Sequence, residues 1–262
     1  MSYRFATYEK RGRIAYVTLN RPEVMNALHL EAHLELAEIW DDFRDDPDVW
    51  VAILTGTGER AFSAGNDLKA TARRTTDGSD VQGDARPPFG RITREFTCSK
   101  PMIAAVNGVA LGGGLELALA CDIIVAADHA RFGLPEPRVG LFAGAGGIHR
   151  LARQVPFKVA MGLLLTGRMF GAEEAHRIGL VNEVVPLADL MATAERWAAE
   201  ILECSPLSVQ LTKESALDGL QHSVDDALVR DRERVERLLA SADFVEGPKA
   251  FTEKRSPQWT GR

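Results

Sequence analysis

The chain has 262 residues, of which 45% are hydrophobic and 26% charged, a composition typical of a globular protein with one large domain or two small ones. The formal net charge of −6 argues against non-specific electrostatic binding to the phosphates of nucleic acids. The three cysteines form no CxxC pair, the N-terminus lacks an apolar signal region, and the most apolar window contains two carboxylates, so the sequence predicts a cytoplasmic protein without disulfides or membrane spans.

The first part of the chain alternates between strand and helix patterns. The stretch RIAYVTLNRP, Arg13–Pro22, predicts a strand that ends where Pro22 removes a backbone donor. Apolar residues at helical spacing predict an amphipathic helix over Ala27–Phe43. A buried strand, closed by glycines, is predicted to begin at Val49.

Two further buried strands, Pro101–Gly108 and Asp122–Asp128, lie on either side of a glycine triplet and a short helix. Strands that alternate with helices in this way predict an α/β architecture. Between them and the first strands, Thr71–Pro88 is polar and has no period. A segment of this length predicts a lid, a binding loop or disorder.

The last third of the chain is predicted to be almost entirely helical. Ser205 followed by Pro206 is typical of a helix start, and Ser223–Leu239 has an amphipathic pattern. A short helix is predicted over Ala172–Ile178, with Gly179 at its C-terminal cap.

The glycine triplet Gly112–Gly114 follows a strand and opens the apolar helix LELALA. A helix N-terminus exposes unpaired N–H groups, and glycine lets a ligand approach them closely, so the triplet predicts an anion or oxyanion site. The alternative is a tight turn without a ligand. The triplet matches neither GxGxxG nor a P-loop, so no nucleotide site is predicted.

Two glutamates near the triplet are candidate acid and base groups. Glu116 lies in the first turn of the apolar helix, and Glu136 lies in a rigid loop between Pro135 and Pro137. Each could be an ordinary surface residue, with Glu116 simply matching the helix dipole. However, the neighbours of Glu116 are apolar, and a buried carboxylate is costly unless it is paired or functional. Two positioned carboxylates suit general acid–base catalysis.

Two other motifs give weaker signals. The small-residue turn Ser63–Gly65 follows a strand, and its backbone N–H groups could face a ligand, but no GxSxG elbow is present. His29 and His33 are four residues apart in the order HxExH, not HExxH, on a helix of surface type. No metal site is therefore predicted there.

Seven motifs in order resemble those of the crotonase (enoyl-CoA hydratase/isomerase) family. They span about Asn20 to Arg255 and read NRPEVMNAL, AFSAGNDLK, NGVALGGGLELALACD, FGLPEPRVG, GAGGIHRL, TGRMFGAEEAHRIGLVNEVV and AFTEKR. The resemblance implies an α/β fold with a crotonase-like spiral of ββα turns over residues 1–200. It also implies a C-terminal helical trimerisation region over residues 201–262, with homotrimers commonly paired into hexamers.

The resemblance also implies a reaction. Family members stabilise a thioester enolate with two backbone N–H groups, which fall here on Asn66 and Gly113. The hydratases carry two glutamates at the positions of Glu116 and Glu136. Enoyl-CoA hydratase activity in fatty-acid β-oxidation is the expectation, with Glu116 activating water and Glu136 exchanging the proton at C2. No separate cofactor is implied, because coenzyme A is part of the acyl-CoA substrate.

The resemblance implies that coenzyme A is bound by the following residues: Met25, Ala27, Ala64, Asp67, Leu68, Lys69 and Lys254. In the family, the lysine at the position of Lys254 often contacts the ligand of a neighbouring subunit. The chain also departs from the family pattern at Ala143 and His149, where Pro and Gln are frequent. FSAGNDLKA and the final W-x-G-R residues resemble the carnitinyl-CoA dehydratase branch. Such a dehydratase, an enoyl-CoA isomerase and a non-catalytic acyl-CoA-binding homologue are the alternatives.

Overall fold

The computed structural model describes residues 3–70, 72 and 88–262. Most of the segment predicted as a lid or binding loop therefore lies outside the described residues. The strands are β1 (Ala6–Arg11), β2 (Ile14–Leu19), β3 (Val51–Gly56), β4 (Ala61–Ser63), β5 (Met102–Val106), β6 (Val109–Leu111), β7 (Ile123–Ala127), β8 (Arg131–Gly133), β9 (Phe170–Gly171) and β10 (Glu183–Val185).

The described helices follow the predicted pattern, with most of them after residue 146. They are α1 (Leu30–Asp45), α2 (Gly113–Ala120), α3 (Gly147–Gln154), α4 (Phe157–Thr166), α5 (Ala172–Arg177), α6 (Leu190–Leu202), α7 (Pro206–Gly219), α8 (Val224–Leu239) and α9 (Ala242–Glu253). Short 3-10 helices cover Pro22–Val24, Glu136–Val139 and Leu187–Asp189. Within the described ranges, no helix is both long and apolar enough to span a bilayer.

The strands form two mixed sheets that rise together as a spiral. The larger sheet has the order β1-β2-β3-β5-β7-β10 and the smaller has the order β4-β6-β8-β9. All neighbours are parallel except the β1–β2 and β8–β9 pairs. Each turn of the chain gives one strand to each sheet, as β5 and β6 do before α2. The spiral expected from the resemblance is therefore confirmed.

Both faces of the larger sheet are covered, as expected for parallel strands. Along β3, Ala52 and Leu54 face the main core, which also contains Trp40 from α1, whereas Val51 and Ile53 face a second apolar cluster. The second cluster is closed by α6, which contributes three buried residues: Leu190, Ala194 and Ala198. This packing fixes the strands whose ends carry the site.

The C-terminal helices α7 and α8 are joined mainly by polar contacts. Asp218 binds both Arg230 and Arg234, and Ser215 donates a hydrogen bond to Asp231. No residue of α8 is buried, and five of its apolar side chains are more than half exposed: Val224, Leu228, Val229, Val235 and Leu239. The outer surface of α8 is thus unusually apolar for a helix facing solvent.

Candidate active site

Three neighbouring parallel strands of the smaller sheet, β4, β6 and β8, end at one edge, where the candidate site lies. The segment after β4 carries Asn66, the segment after β6 carries Gly113 and Glu116, and the segment after β8 carries Glu136. Parallel strands present their carboxyl ends side by side, which is where open α/β sheets bind ligands. The topology thus brings together residues that are far apart in the sequence.

The segment after β4 is held by hydrogen bonds to Leu28, two residues before α1 begins. The N–H of Leu28 donates to the carbonyl of Gly65 at 2.8 Å, and the N–H of Asp67 donates to the carbonyl of Leu28 at 2.9 Å. The Ser63 hydroxyl accepts a further bond from the N–H of Gly65 at 3.1 Å. Because the two bonds to Leu28 lie on either side of Asn66, they fix the orientation of its peptide.

The glycine triplet packs against this segment too closely for side chains. A Cβ on Gly65, which has φ +88°, would lie 2.7 Å from the backbone nitrogen of Gly113. A Cβ on Gly114 would lie 2.0 Å from the carbonyl oxygen of Ser63, and one on Gly113 would lie 2.3 Å from the ring of Phe89. Glycine therefore allows the start of α2 to touch the Asn66 segment, as a pair of oxyanion donors requires.

Glu116 is only 3% exposed, in the first turn of α2. Its Oε1 accepts a hydrogen bond of 2.8 Å from the N–H of Gly147. Burial raises the pKa of Glu116, and the charge of Glu136 raises it further. Three groups lower the pKa of Glu116: the N–H groups of Gly147 and Ala145 and the charge of Arg150. The site thus holds a costly carboxylate together with groups that favour its ionised form.

Glu136 is half-buried at the start of the 3-10 helix Glu136–Val139. A Cβ on Gly112 would lie 3.0 Å from its Oε1, so the carboxyl group is beside the triplet. Its Oε2 is buried and has no hydrogen-bond partner among the described residues. Burial raises the pKa of Glu136. Unlike Glu116, this carboxyl group has little around it that favours the charged form.

Both glutamates line one cavity of about 490 Å³, a size suited to a small organic group. The two predicted N–H donors, Asn66 and Gly113, line the same cavity. The rest of its described lining is mostly apolar and comes from five parts of the chain: His29, Leu30, His33, Ala64, Leu68, Ala70, Phe89, Gly112, Pro135, Val139, Leu141, Phe142, Gly144 and Ala145.

Only part of the predicted coenzyme A set reaches this cavity. Ala64 and Leu68 line it. Met25, in the left-handed region with φ 58°, lies outside the lining but accepts a hydrogen bond from the N–H of Ala64 at 2.9 Å. Asp67 is paired with Arg21 at 3.1 Å, with both side chains largely buried. Asp67 and Met25 therefore hold the wall of the cavity in place.

The remaining members of the predicted set lie elsewhere. Ala27 is buried, and its carbonyl accepts a hydrogen bond from Arg21. Lys69 is exposed next to the cavity wall. Lys254 is an exposed residue at the C-terminal end of α9. None of these three is among the residues that line the cavity.

The helix α1, which begins after His29 and carries His33, is partly exposed as predicted, and both histidines also line the cavity. Nδ1 of His33 accepts a hydrogen bond of 3.0 Å from the N–H of Gly90, and its ring packs edge-on against Phe89. Apolar periodicity could not reveal contacts with a segment so distant in sequence. Within the described ranges, no cluster of three or more His, Cys, Asp or Glu side chains could hold a metal ion.

Two residues at the site, Phe89 and Arg150, could not be assigned to it from sequence patterns. Phe89 covers Gly113 from a segment with no clear pattern, and Arg150 lies behind Glu116 on α3. Arg150 belongs to the motif GAGGIHRL, but this motif does not indicate the direction of its side chain. Its half-buried position near a buried carboxylate becomes visible only once α2 and α3 are packed together.

Comparison with protein families places nearly all of the chain in one group. Residues 9–262 match the family model described as "Enoyl-CoA hydratase/isomerase". Carnitinyl-CoA dehydratase of Escherichia coli is 43% identical over 258 residues, which cover 97% of each chain. The (E)-benzylidenesuccinyl-CoA hydratase of Thauera aromatica is 43% identical over 256 residues, which cover 97% of this chain and 98% of the relative.

Solved structures show the same similarity at the level of the fold. An enoyl-CoA hydratase from Mycobacterium marinum superimposes with a TM-score of 0.91 and 39% identity, covering 98% of this chain and 99% of the other. An enoyl-CoA hydratase from Mycobacterium tuberculosis gives a TM-score of 0.90 with the same identity and the same coverage.

Proposed function

Because the chain belongs to the enoyl-CoA hydratase/isomerase (crotonase) family and is a hydro-lyase of that family acting on acyl-CoA, we propose that it is an enoyl-CoA hydratase. The reaction is the reversible addition of water to a 2-enoyl-CoA, which gives a 3-hydroxyacyl-CoA. The observation that carries this proposal is that a buried carboxyl group, Glu116, and a half-buried one, Glu136, line one cavity with Gly113 and Asn66.

In the proposed mechanism, the N–H groups of Asn66 and Gly113 bind the thioester oxygen. Negative charge develops on this oxygen when water attacks C3, so fixed donors stabilise the transition state more than the ground state. The contact between the Gly65 and Gly113 segments supports this role, because it leaves the donors no freedom to reorient. Removal of one such donor costs roughly 10²–10³-fold in rate.

The surroundings of the two glutamates suggest different roles. Burial raises the pKa of Glu116, but the hydrogen bond from Gly147 and the charge of Arg150 act in favour of the ionised form, so Glu116 is proposed to deprotonate water. Glu136 has a buried, unpartnered oxygen, which favours its neutral form and suits it to deliver a proton to C2. Environments that separate two carboxyl groups in this way are typical of acid–base pairs.

The first test is hydration of crotonyl-CoA, followed by loss of the conjugated enoyl-thioester absorbance. We expect rapid turnover by the wild-type protein. Each of Glu116→Gln and Glu136→Gln should lower kcat by about 10²–10⁴-fold, because general acid and base groups contribute in this range. Glu173→Gln, an exposed glutamate in α5, is the matched control and should keep full activity. Full activity in either site variant would contradict the proposed mechanism.

A second candidate, a carnitinyl-CoA dehydratase type of activity, is favoured by the 43% identity to that enzyme of Escherichia coli. It would use the same site on an acyl group that carries a quaternary ammonium. The ratio of kcat/KM for crotonobetainyl-CoA to that for crotonyl-CoA separates the two candidates. A ratio well above one would favour the dehydratase, and a ratio well below one would favour the hydratase and a role in fatty-acid β-oxidation.

We also propose that coenzyme A lies along the segments Met25–Ala27 and Ala64–Lys69. The hydrogen bond from Ala64 to Met25 joins these segments beside the cavity, which supports the assignment. Lys254 does not line the cavity of its own chain, and its proposed phosphate contact is to the ligand of a neighbouring subunit. This is in keeping with a homotrimer, or two paired trimers, built by the C-terminal helices. The cytoplasmic location stays a prediction.

A further inference from the structure

Arg150 joins two segments behind the candidate active site. It lies on α3, where its Nη2 donates to the carbonyl of Thr93 at 3.0 Å and its Nη1 donates to the carbonyl of Ala145 at 3.3 Å. A Cβ on Gly146 would lie only 2.1 Å from its Nη1, so the guanidinium packs directly on that glycine. The side chain thus clamps the backbone immediately before Gly147.

This clamped backbone is the part of the chain that binds Glu116. The N–H of Gly147 donates to Glu116 Oε1 at 2.8 Å, and a Cβ on Gly147 would lie 2.9 Å from Glu116 Cγ. The contact therefore has no spare room, and a small shift of the Ala145–Gly147 segment would change it. Among hydrogen bonds in proteins, those to an ionised carboxylate are the stronger ones and depend on alignment.

Arg150 forms no ion pair with a residue of the described ranges. Among the described residues, no carboxylate lies within ion-pair distance of its guanidinium. Burial lowers the pKa of Arg150, while the negative charge of Glu116 acts in the opposite direction. A guanidinium stays charged across the accessible pH range, so a fixed cation lies behind the proposed base.

We propose that Arg150 is a positioning residue for hydration, which aligns the Gly147 N–H with Glu116 and stabilises the Glu116 carboxylate by its positive charge. This inference rests on the proposed hydratase function. The titratable side chains that line the cavity together with Glu116 are Glu136, His29 and His33, whereas Arg150 is not part of the lining. Glu136 opposes ionisation of Glu116, and Arg150 is the cation that favours it.

The test compares pH profiles of crotonyl-CoA hydration for the wild type and for Arg150→Gln and Arg150→Lys. Loss of a nearby cation raises the pKa of a carboxylate, so Arg150→Gln should move the acid limb of kcat/KM upward by about one pH unit. Arg150→Lys keeps the charge and should leave this limb within about 0.3 unit, with a lower kcat because the two-carbonyl clamp is lost. Arg153→Gln, on the same helix and exposed, is the matched control and should leave the profile unchanged.

A second measurement separates this inference from the proposed function. Titration of carboxyl ¹³C signals in glutamate-labelled protein, with Glu116→Gln to assign the resonance, reports ionisation without turnover. We expect the Glu116 signal to titrate at higher pH in Arg150→Gln. A folded Arg150→Gln protein with an unchanged Glu116 titration would overturn the inference, whatever its activity. If that variant does not fold, a shifted acid limb in Arg150→Lys would overturn it equally.

Active wild-type protein with no shift would leave the hydratase proposal intact and remove only the role of Arg150. If the wild-type protein were inactive but the Glu116 signal still titrated at higher pH in Arg150→Gln, the effect of Arg150 on Glu116 would stand and the hydratase proposal would fall. A double-mutant cycle completes the design: in the Glu116→Gln background, Arg150→Gln should lower kcat by less than about threefold, since residues acting through one another are not additive.

Discussion

Glu116 is a residue whose proposed function opposes stability. Burial raises its pKa above the ordinary value of 4.5, so the folded state binds this proton more tightly than the unfolded state. Stability from this group is fully present below pH 4.5 and is lost as the pH rises through the folded-state pKa. Ionisation of Glu116 in the folded protein therefore costs stability, as is usual for a carboxylate with a perturbed pKa at a functional site.

We therefore expect Glu116→Gln to unfold at higher urea concentration than the wild type at pH 8. An amide can still accept the hydrogen bond from Gly147 and carries no charge to bury. The advantage should shrink as the pH falls toward 4.5, with a slope of at most about 1.4 kcal/mol per pH unit from this group. Urea unfolding at several pH values measures it. A variant less stable than wild type at pH 8 would show that the carboxylate is net stabilising.

At the scale of elements, the close contact between α2 and β4 sets the geometry of the proposed oxyanion donors. We expect Gly114→Ala to lower the free energy of unfolding by about 2–3 kcal/mol, because the new Cβ would lie 2.0 Å from the carbonyl oxygen of Ser63. The obstacle is backbone, which cannot move aside as a flexible side chain can. Thermal and urea unfolding would measure the loss.

Gly162 in α4 provides the matched control for this prediction. A Cβ there would meet no atom within 4 Å, and the position is in a helix interior. Alanine should therefore stabilise the protein by about 0.5–1 kcal/mol through its higher helix propensity. If Gly114→Ala and Gly162→Ala behaved alike, the close packing of α2 on β4 would not be the cause.

Elements with their own local pattern could be predicted from sequence, and those defined by partners could not. The strand β5 is a continuous apolar run and the helix α8 has an amphipathic period, and both were predicted within a few residues. In contrast, β1 was missed, because only Ala6 is buried and the rest, TYEKR, reads as a polar edge paired to β2. The strand β1 is defined by its hydrogen bonds to β2, and the sequence of β1 alone does not predict this pairing.

The same distinction applies to the site. Glu116 and Glu136 could be proposed because each stands out against its neighbours, and the structure does place them in one cavity. Arg150 and His33 could not be assigned to the cavity region from sequence, because each acts on a segment distant in the chain: Arg150 on Thr93, and His33 on Gly90. A period of 3.6 shows which face is apolar, but not which polar residue borders a cavity.

At the scale of the whole molecule, the apolar outer face of α8 predicts self-association. We expect the purified protein to have a mass of three or six copies of the 28.6 kDa chain in light scattering. Leu228→Asp, at a side chain that is 63% exposed, should shift the mass toward the monomer. Leu34→Asp, at an exposed leucine on α1, is the control and should not. A monomeric wild-type protein at all concentrations would contradict the proposed trimer.

The segment that follows Glu136 has a separate consequence for engineering. Val139, Leu141 and Phe142 line the cavity and are also 60%, 51% and 73% exposed, so little of the interior packs on them. Val139 lies at the end of the 3-10 helix that begins with Glu136, and Leu141 and Phe142 project from the surface stretch that follows. A combinatorial library at these positions could therefore exchange one acyl preference for another, while the fold and the reaction machinery stay as they are.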